Sequence, residues 1–525
     1  MLLLFSLSMK VYINDKKYSG KDLGAIISKY NININTITSI IAIDGSVSLL
    51  LKWSDFTRLE KLIIPYDPYN SLIYKNFQNM ESLKYVSLEG ADFVGEGAFE
   101  NCTNLEYVYL NSCKVISSRA FYQCTSLIEI SIPNVTSINS YSFYRTSIKS
   151  LNLPNLHEIG EHCFDSCQQL ESIQFDFITL LAKYSFNNCI SLESIICPEL
   201  TNIDKYCFYS CTKLTDFSFP KLTEIESFSF SESGIQKVDF PFIKYVSESS
   251  FKNCQLLTTV ILNQCRFVYK SAFEGCISLT HVEIPLLYHI SAFAFKSIVA
   301  ENLEFPILQN IGTEPITEKN KTKNYGAQFM NFENLRSISA PLADSISSYM
   351  FSGCSSLSTI NMDNVKEIGE KAFEKCKSYK KLSFGQIENV DSFLFKDYGL
   401  FSEVKLDKCL FVSSRAFESC QYLEEIKLKV CKSIESCAFK NCVNLKKIHL
   451  PNLKEMNGEA FQNTSLVKIE LDRLDLVYGN NIFSGCSKLT HVSLRNLYKI
   501  THSMFRSCNH LIYVDIPEAR IIEES

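Results

Sequence analysis

Cysteine and histidine are the residues of this chain whose types and number could support chemistry. The 525 residues include 21 Cys and 8 His. Thiolate and imidazole groups are common zinc ligands, paired cysteines form disulfides, and an activated cysteine can act as a nucleophile. The spacing of these residues, and the elements that hold them, decide which of these chemistries the chain can perform.

One histidine pair comes close to a metalloprotease motif. The segment HEIGEH runs from His157 to His162. The motif His-Glu-x-x-His places its histidines one helical turn apart, and here the spacing is one residue longer. The sequence also has no G-x-S-x-G, no C-x-x-C and no glycine-rich phosphate loop. We therefore predict no catalytic residue and no enzyme activity.

The positions of phenylalanine reveal the framework that holds these residues. Twenty of the 38 Phe form a lattice in which sixteen intervals are 22 residues long, two are 21 and one is 34. The lattice positions are Phe77, Phe99, Phe121, Phe143, Phe164, Phe186, Phe208, Phe230, Phe251, Phe273, Phe295, Phe329, Phe351, Phe373, Phe395, Phe417, Phe439, Phe461, Phe483 and Phe505. Such a period indicates a repeat array and not a series of globular domains.

Each repeat reads approximately A-F-x-x-C-x-x-L-x-x-I-x-L-P-x-L-x-x-I, as in AFYQCTSLIEISIPNVTSINSY, which begins at Ala120. The alternation I-x-L predicts a short strand with one buried face, and the proline ends it because it cannot donate to a ladder. The A-F-x-x-C segment predicts a short helical turn with Phe and Cys on its inner face. One repeat cannot bury its apolar side alone, so the repeats are expected to stack into a solenoid with a parallel sheet along one face.

These repeats resemble the BspA-type leucine-rich repeat, also called the treponemal type, with its core Cys-x-x-Leu-x-x-Ile-x-Leu-Pro followed by Ile and Ala-Phe. The resemblance runs from about residue 53 to the C-terminus. The sequence departs from the family in one respect. Between Pro and the next Leu it usually has one residue, as in Leu450-Pro451-Asn452-Leu453, where the family commonly has two. The resemblance implies an α/β repeat fold, a leucine-rich-repeat solenoid of about 21 units of period 22 with one continuous parallel β-sheet.

Most of the cysteines fall on this lattice. Those three residues after a lattice Phe are Cys102, Cys124, Cys167, Cys189, Cys211, Cys254, Cys276, Cys354, Cys376, Cys420, Cys442, Cys486 and Cys508. Four others, Cys113, Cys265, Cys409 and Cys431, replace an apolar residue. We predict that they are small buried residues with reduced thiols. Disulfides between adjacent rungs are the alternative, since neighbouring cysteines would lie about 5 Å apart.

The best zinc candidate is a pair of C-x-x-x-C segments, Cys163/Cys167 and Cys207/Cys211, with His162 beside the first. The two segments would lie two rungs apart, roughly 10 Å. Tetrahedral zinc needs four ligands at about 2.3 Å from one ion. We therefore predict no metal site and no cofactor.

The lattice is absent or interrupted in two places. Residues 1–52 are predicted to form an N-terminal cap, with a hairpin in KVYINDKKYSG and a short amphipathic helix in DLGAIISKYN; a small partner-binding module is the alternative. The long interval holds a polar insertion loop at 312–328, either a tolerated bulge or a contact or processing loop. Leucine-rich repeats are thus expected at 53–311, beginning with a degenerate repeat that has the lone Trp53 in its Phe slot, and at 329–525, with no evident C-terminal cap.

Charge and hydropathy restrict the partner and the compartment. A net charge of −5 argues against a nucleic-acid binder with a broad basic surface. No apolar run approaches the ~18 residues of a transmembrane helix, and MLLLFSLSM is short for a secretory signal. The direct interpretation is a cytoplasmic protein. Because the resembled family includes many surface antigens, the cell surface, or secretion by a non-classical route, is the alternative.

The candidate partner-binding residues flank the central Ile of each predicted strand. They are Tyr85, Tyr107, Tyr109, Lys381, Lys405, Lys427, Lys447 and Lys468. The tyrosines are either interface anchors or a cross-rung stack. The lysines, interleaved with Glu403, Glu425 and Glu470, are either a docking face for an acidic partner or a solvated charge ladder.

The sequence therefore favours a non-catalytic protein-binding scaffold that uses its exposed solenoid surface. The family resemblance implies an adhesin-like surface antigen that contacts a host or neighbouring-cell protein. The alternative is an intracellular structural or adaptor protein with an endogenous protein partner.

Overall fold

The structure, a computed structural model, describes residues 9–44, 52–65, 77–312 and 326–523. The chain divides into two compact units, Met1–Thr258 and Thr259–Ser525, and each is described by itself. Most of the predicted insertion loop at 312–328 lies outside the described residues.

The first unit begins with a hairpin and a helix. The elements before the repeats are the strands Met9–Ile13, Lys16–Gly20, Ser39–Asp44 and Lys61–Ile64, the helix Leu23–Lys29 and the 3-10 turns Ile34–Thr36 and Trp53–Asp55. The first two strands pair antiparallel, and the Asp22 carboxylate caps the helix by accepting the N–H of Ala25 at 2.8 Å. Strand Lys61–Ile64 pairs parallel with Tyr85–Leu88, which carries the ladder into the repeats.

Each repeat contributes a strand at its I-x-L segment, and these strands stack in parallel. In the first unit they are Tyr85–Leu88, Tyr107–Tyr109, Glu129–Ser131, Ser150–Asn152, Ser172–Gln174, Ser194–Ile196, Asp216–Ser218 and Lys237–Asp239. In the second unit they are Thr259–Ile261, His281–Glu283, Asn302–Glu304, Ser337–Ser339, Thr359–Asn361, Lys381–Ser383, Glu403–Lys405, Glu425–Lys427, Lys447–His449, Lys468–Glu470, His491–Ser493 and Tyr513–Asp515. We call this series the first ladder. The predicted leucine-rich-repeat solenoid, with about 21 turns of parallel stacked strands, is confirmed.

A second ladder of shorter strands follows the first-ladder strand of each repeat. In the first unit it comprises Phe93–Val94, Val115–Ile116, Ser137–Ile138, Glu158–Ile159, Leu180–Leu181, Asn202–Ile203, Glu224–Ile225 and Tyr245–Val246. In the second unit it comprises Phe267–Val268, His289–Ile290, Asn310–Ile311, Ser345–Ile346, Glu367–Ile368, Asn389–Val390, Phe411–Val412, Ser433–Ile434, Glu455–Asn457, Leu476–Tyr478, Lys499–Ile500 and Ile521–Ile522. The sequence did not predict this ladder, because most of its strands have only two residues, and two residues show no alternation.

The A-F-x-x-C segment is not helical, which corrects the expected helical turn. From Phe99 onward, the residues two before and two after each lattice Phe have positive φ, as at Arg119 (58°) and Gln123 (58°) around Phe121. An α-helix excludes this conformation. It instead turns backbone N–H groups toward the next rung, where Phe99 N–H donates to Ala120 C=O at 2.8 Å and Asn101 N–H to Tyr122 C=O at 2.8 Å.

The core of each unit is a column of stacked phenylalanine rings. From Phe77 to Phe251 successive lattice rings lie 5.1 to 5.6 Å apart between centroids. Trp53 extends this column 5.2 Å from Phe77, as the sequence predicted for the Phe slot of a first degenerate repeat. In the second unit Phe295 still stacks on Phe329 at 6.1 Å, so the 34-residue interval leaves the column in place.

The sheet is not one continuous sheet, which is a second correction. Within the units, the first ladder breaks after strands Glu129–Ser131, Asp216–Ser218, His281–Glu283, Thr359–Asn361 and Lys447–His449. At four of these breaks the next repeat has one residue fewer between its lattice Phe and its first-ladder strand. The shortened segments are those that contain Thr146, Ser233, Ile298 and Thr464. A shorter turn pulls the strand away from the register that a 22-residue repeat sets.

The remaining break, after strand Thr359–Asn361 in the second unit, divides every stacked layer. The second ladder breaks there too, after Glu367–Ile368. Tyr379 fills the usual Leu slot and stacks on Phe373 at 5.3 Å, while Tyr398 fills the usual Cys slot. The Tyr398 hydroxyl accepts the Lys371 N–H at 2.9 Å, in place of the usual backbone carbonyl. Two oversized side chains thus separate adjacent rungs.

Candidate functional site

The lattice cysteines have a second role beside packing, since their thiols donate hydrogen bonds. In twelve repeats the Sγ lies 2.9 to 3.1 Å from the carbonyl oxygen of the lattice Phe one rung earlier. The donors are Cys102, Cys124, Cys167, Cys189, Cys211, Cys254, Cys354, Cys376, Cys420, Cys442, Cys486 and Cys508. The sequence predicted these residues only as small buried groups, because a hydrogen bond between rungs leaves no local pattern.

Where the cysteine is replaced by a hydroxyl residue, the chain of polar contacts continues. The hydroxyl oxygens of Thr146 and Thr464 lie 3.3 and 3.2 Å from the Sγ atoms of the cysteines one rung later. Ser233 lies 3.5 Å from the Cys254 sulfur in the same way. At these three positions the slot therefore keeps a small side chain with a polar hydrogen.

These thiols are poorly suited to catalysis or metal binding. Burial raises the pKa of Cys102, Cys167 and Cys254 from 9.0 to about 12. Thiolate is the reactive and metal-binding form, so a raised pKa suppresses both functions. Across the part of the chain that the structure describes, no group of three or more His, Cys, Asp or Glu residues is placed to hold a metal ion.

The two histidines of HEIGEH lie in different environments. His157 is exposed and stacks on Phe177 at 5.0 Å between centroids. His162 is half-buried, and its Nδ1 lies 2.7 Å from Oδ2 of the buried Asp165. Asp165 Oδ1 also accepts from Ser166 Oγ at 2.8 Å and Asn187 Nδ2 at 2.9 Å. His162 and Asp165 thus form a structural pair within a turn.

The structure brings the three candidate tyrosines together on the first ladder. Tyr85 lies 6.5 Å from Tyr107 and 5.6 Å from Tyr109 between ring centroids, and all three are half-buried. The Lys61 ammonium lies 5.2 Å from the Tyr85 ring centroid. The Tyr109 hydroxyl donates to Glu129 Oε1 at 2.8 Å, and this hydrogen bond raises the pKa of Tyr109 to about 12. The cluster offers apolar area with a fixed geometry.

The five candidate lysines lie on the first ladder of the second unit, and carboxylates neutralise much of their charge. Lys381 Nζ lies 3.1 Å and Lys427 Nζ 3.8 Å from Glu403, and the Lys381 contact is the main reason that the pKa of Glu403 is lowered. Lys427 also pairs with Glu425 at 3.1 Å, and Lys405 pairs with Asp407 at 3.2 Å.

The remaining two lysines, Lys447 and Lys468, line a cleft of about 980 Å³ at the last break of the first ladder. Exposed Val467 lies in the same cleft, and Lys468 forms an ion pair with Glu470. We call these five lysines the lysine stripe. It is a charge-balanced surface with a local depression and not a strongly basic face.

A group of surface aromatic residues was missed by the sequence analysis. Tyr141, His162, Tyr184, Tyr206 and Phe228 occupy the slot two residues before the lattice Phe on five consecutive rungs. Their successive ring centroids lie 4.5, 4.4, 4.8 and 4.8 Å apart, and the planes lie within 8° of parallel. We call this set the aromatic column. Comparing that slot from repeat to repeat would have revealed it.

The structure holds no helix, within its described ranges, with the length and apolarity that crossing a membrane requires.

No curated protein matches the chain. Solved structures with a similar fold include a leucine-rich repeat protein from Bacteroides ovatus, at 18% identity, 93% coverage of this chain and 94% of that chain, and a TM-score of 0.40. A leucine-rich cell surface protein from Faecalibacterium prausnitzii gives 18% identity, 69% and 83% coverage, and a TM-score of 0.24. The pneumococcal vaccine antigen PcpA gives 16% identity, coverage of 68% of this chain and 78% of that chain, and a TM-score of 0.21.

The repeats also match a family model, described as the BspA type leucine-rich repeat region in six copies. The matched residues are 53–171, 136–258, 244–325, 322–430 and 411–525. The match covers the lattice from its first degenerate repeat onward, including the turns and thiol slots described above. The chain therefore belongs to the BspA type leucine-rich repeat family.

Proposed function

We propose that this chain is a non-catalytic protein-binding scaffold whose first ladder contacts a protein partner through Tyr85, Tyr107 and Tyr109. Leucine-rich repeat proteins generally serve as protein-interaction scaffolds and are typically not catalytic. The observation that carries the proposal is the tyrosine cluster, in which three half-buried rings on adjacent strands are held by mutual contacts. Rigid aromatic side chains anchor interfaces at low entropic cost.

The lysine stripe is the second part of this proposed surface. Lys381, Lys405, Lys427, Lys447 and Lys468 would steer an acidic partner toward the first ladder of the second unit. Because several already face a carboxylate, their net attraction is modest. We therefore assign them to orientation and encounter rate, and the tyrosines to affinity.

A photo-crosslinking amino acid placed at position 107 tests the tyrosine surface. The matched control is position 180, because Leu180 lies on the second ladder and is 50% exposed. We expect a protein adduct from cells of the source organism at 107, and its loss when Tyr85 and Tyr109 are both changed to Ala. Equal adducts at 107 and 180, or an adduct that persists in the double variant, would contradict the proposal.

Within this function, we place the chain at the cell surface as an adhesin-like antigen that contacts a host or neighbouring-cell protein. Membership of the BspA type family supports this, because such proteins are often found at surfaces. Labelling intact cells with a membrane-impermeant amine reagent tests it. Labelling that appears only after permeabilisation would refute a surface location.

The second candidate is an adaptor with an endogenous partner in a reducing compartment. The geometry of the thiols favours it, because a cysteine whose Sγ donates to a carbonyl at about 3 Å must carry its proton. Cytosolic proteins keep their cysteines as thiols. Protection of the chain in intact cells, together with 21 titratable thiols after denaturation without reductant, would select this candidate.

A further inference from the structure

The aromatic column is not required by the fold. Its residues have φ between 54° and 62°, a left-handed conformation that favours Gly and Asn. Other repeats fill the same slot with residues that have no ring, among them Gly97, Ser249, Ser271, Ala327, Asn481 and Ser503. Five consecutive rings at such a position therefore need an explanation other than backbone geometry.

The stacking determines which atoms the column presents. Each ring between Tyr141 and Phe228 has both faces covered by its neighbours at 4.4 to 4.8 Å. A sugar ring recognised by stacking would need an exposed ring face. What remains accessible is a row of ring edges, which carry partial positive charge, and phenolic hydroxyls. The column thus favours a ligand with hydrogen-bond acceptors and apolar surface.

The hydroxyls of Tyr141, Tyr184 and Tyr206 are available donors. Among the residues that the structure describes, none accepts a hydrogen bond from them. Burial raises the pKa of Tyr184, so its hydroxyl remains protonated well above neutral pH. Because these hydroxyls are accessible, water can accept from them in the free protein, and a ligand carbonyl would replace that water as the acceptor.

The spacing of these donors selects the conformation of the ligand. The steps from Tyr141 to His162 and on to Tyr184, 4.5 and 4.4 Å, separate the two tyrosines by about 9 Å along the column. A polyproline II segment advances about 9 Å in one turn of three residues, so every third carbonyl could meet a hydroxyl. Proline also has no N–H, and therefore leaves no unsatisfied donor against the ring edges.

Other tyrosines border the column and give it a side wall. Tyr122 and Tyr144 meet Tyr141 at interplanar angles near 60°, with centroids 6.4 and 6.0 Å away. Tyr209 meets Tyr206 in the same way at 5.9 Å. Walls of tyrosine that stand across a row of ring edges resemble the aromatic grooves that accept polyproline II segments.

We propose that the aromatic column and its bordering tyrosines form a docking site for a proline-rich segment in the polyproline II conformation. This goes beyond the scaffold function proposed above. It rests on residues of the turns, whereas the scaffold surface rests on residues of the first ladder. Either proposal can fail without the other.

The test uses the full chain and a fluorescein-labelled decaproline, with binding followed by fluorescence anisotropy. The informative variant combines Tyr141→Phe and Tyr184→Phe, which removes two hydroxyls and keeps the rings stacked. We expect saturable binding that weakens about 10-fold in this variant, since one neutral hydrogen bond is worth a factor of about 2 to 10. The control combines Tyr349→Phe and Tyr422→Phe, two exposed tyrosines that belong neither to the aromatic column nor to the first-ladder cluster, and we expect unchanged binding.

Folding is checked by the melting temperature, which should not differ between the two double variants. A length-matched Gly-Ser peptide should not bind, because it lacks a preformed polyproline II conformation. Failure of decaproline to saturate, equal weakening in the control, or an unchanged affinity in the Tyr141/Tyr184 variant would each overturn the proposal. Tighter binding of cellohexaose or of a polyglutamate peptide at the same residues would also overturn it.

Discussion

At the scale of single residues, the thiol three residues after a lattice Phe combines packing with hydrogen bonding in twelve repeats. Cys189 is fully buried, and its Sγ lies 3.0 Å from the Phe164 carbonyl of the previous rung. Cys197, on the same rung, is equally buried. Burial alone raises the pKa of its thiol, and no hydrogen bond to a carbonyl contributes. One rung therefore contains a cysteine that donates and a cysteine that only fills space.

This difference predicts opposite orders of stability for two pairs of substitutions. At position 189 we expect Cys→Ser to be more stable than Cys→Ala by about 1 kcal/mol, because serine keeps a donor for the carbonyl. At position 197 we expect Cys→Ala to be the more stable variant, because a buried hydroxyl without a partner is costly. Urea unfolding of the four variants measures both orders. The same order at both positions would show that the thiol contacts are incidental.

At the scale of the elements, the length of the turn and the size of the slot residues determine where the ladders are continuous. The largest interruption in the second unit follows strand Thr359–Asn361, where Tyr379 and Tyr398 replace the usual Leu and Cys. A cleft of about 430 Å³ opens beside it, lined by Glu367, Asp391 and neighbouring residues. Local stability should be lowest where the fewest backbone hydrogen bonds cross between rungs.

Amide hydrogen exchange tests this expectation. In the native protein, residues 371–375 should exchange faster than residues 349–353, in which the N–H groups of Tyr349, Phe351 and Gly353 donate to the next rung at 2.8 to 3.0 Å. The double change Tyr379→Leu and Tyr398→Cys restores the usual slot residues. We expect it to slow exchange at 371–375 to the level of the reference segment. Fast exchange that persists in this variant would place the cause in the turns and not in the two side chains.

At the scale of the whole molecule, the buried thiols couple stability to alkaline pH. Those with a pKa raised from 9.0 to about 12 and with most of the residue buried are Cys102, Cys113, Cys167, Cys254, Cys376, Cys409, Cys431 and Cys442. Above pH 9 the unfolded chain loses these protons while the folded chain keeps them. Because the unfolded state then binds fewer protons, stability must fall as pH rises from 9 toward 12.

The predicted effect is large because the thiols act together. Each contributes about 1.4 kcal/mol per pH unit, so eight of them remove on the order of 10 kcal/mol within roughly one unit above pH 9. Circular dichroism at increasing pH should show cooperative loss of structure in that range. In a variant with Cys167, Cys254 and Cys442 changed to Ser, the free energy of unfolding should fall less steeply with pH, because about three fewer protons are released on unfolding. Identical profiles for the two proteins would contradict the assignment of the transition to thiols.

The sequence by itself determined the repeat, the first ladder, the Phe column and the place of Trp53 in it. These follow from a period of 22 residues and from the alternation of apolar residues, which burial enforces in every rung. The sequence also located the residues that flank the strands, since the side chains of a strand alternate between its faces.

Only the tertiary structure decided the contacts between rungs. The aromatic column joins residues 21 or 22 positions apart. The hydrogen bonds from thiols to carbonyl oxygens mostly join residues 25 positions apart, so neither produces a local pattern. The left-handed turns arise because N–H groups must reach carbonyls on the next rung, a requirement that a single repeat does not contain. Four breaks depend on one missing residue and the other on two oversized side chains, and these effects appear only when adjacent rungs are stacked.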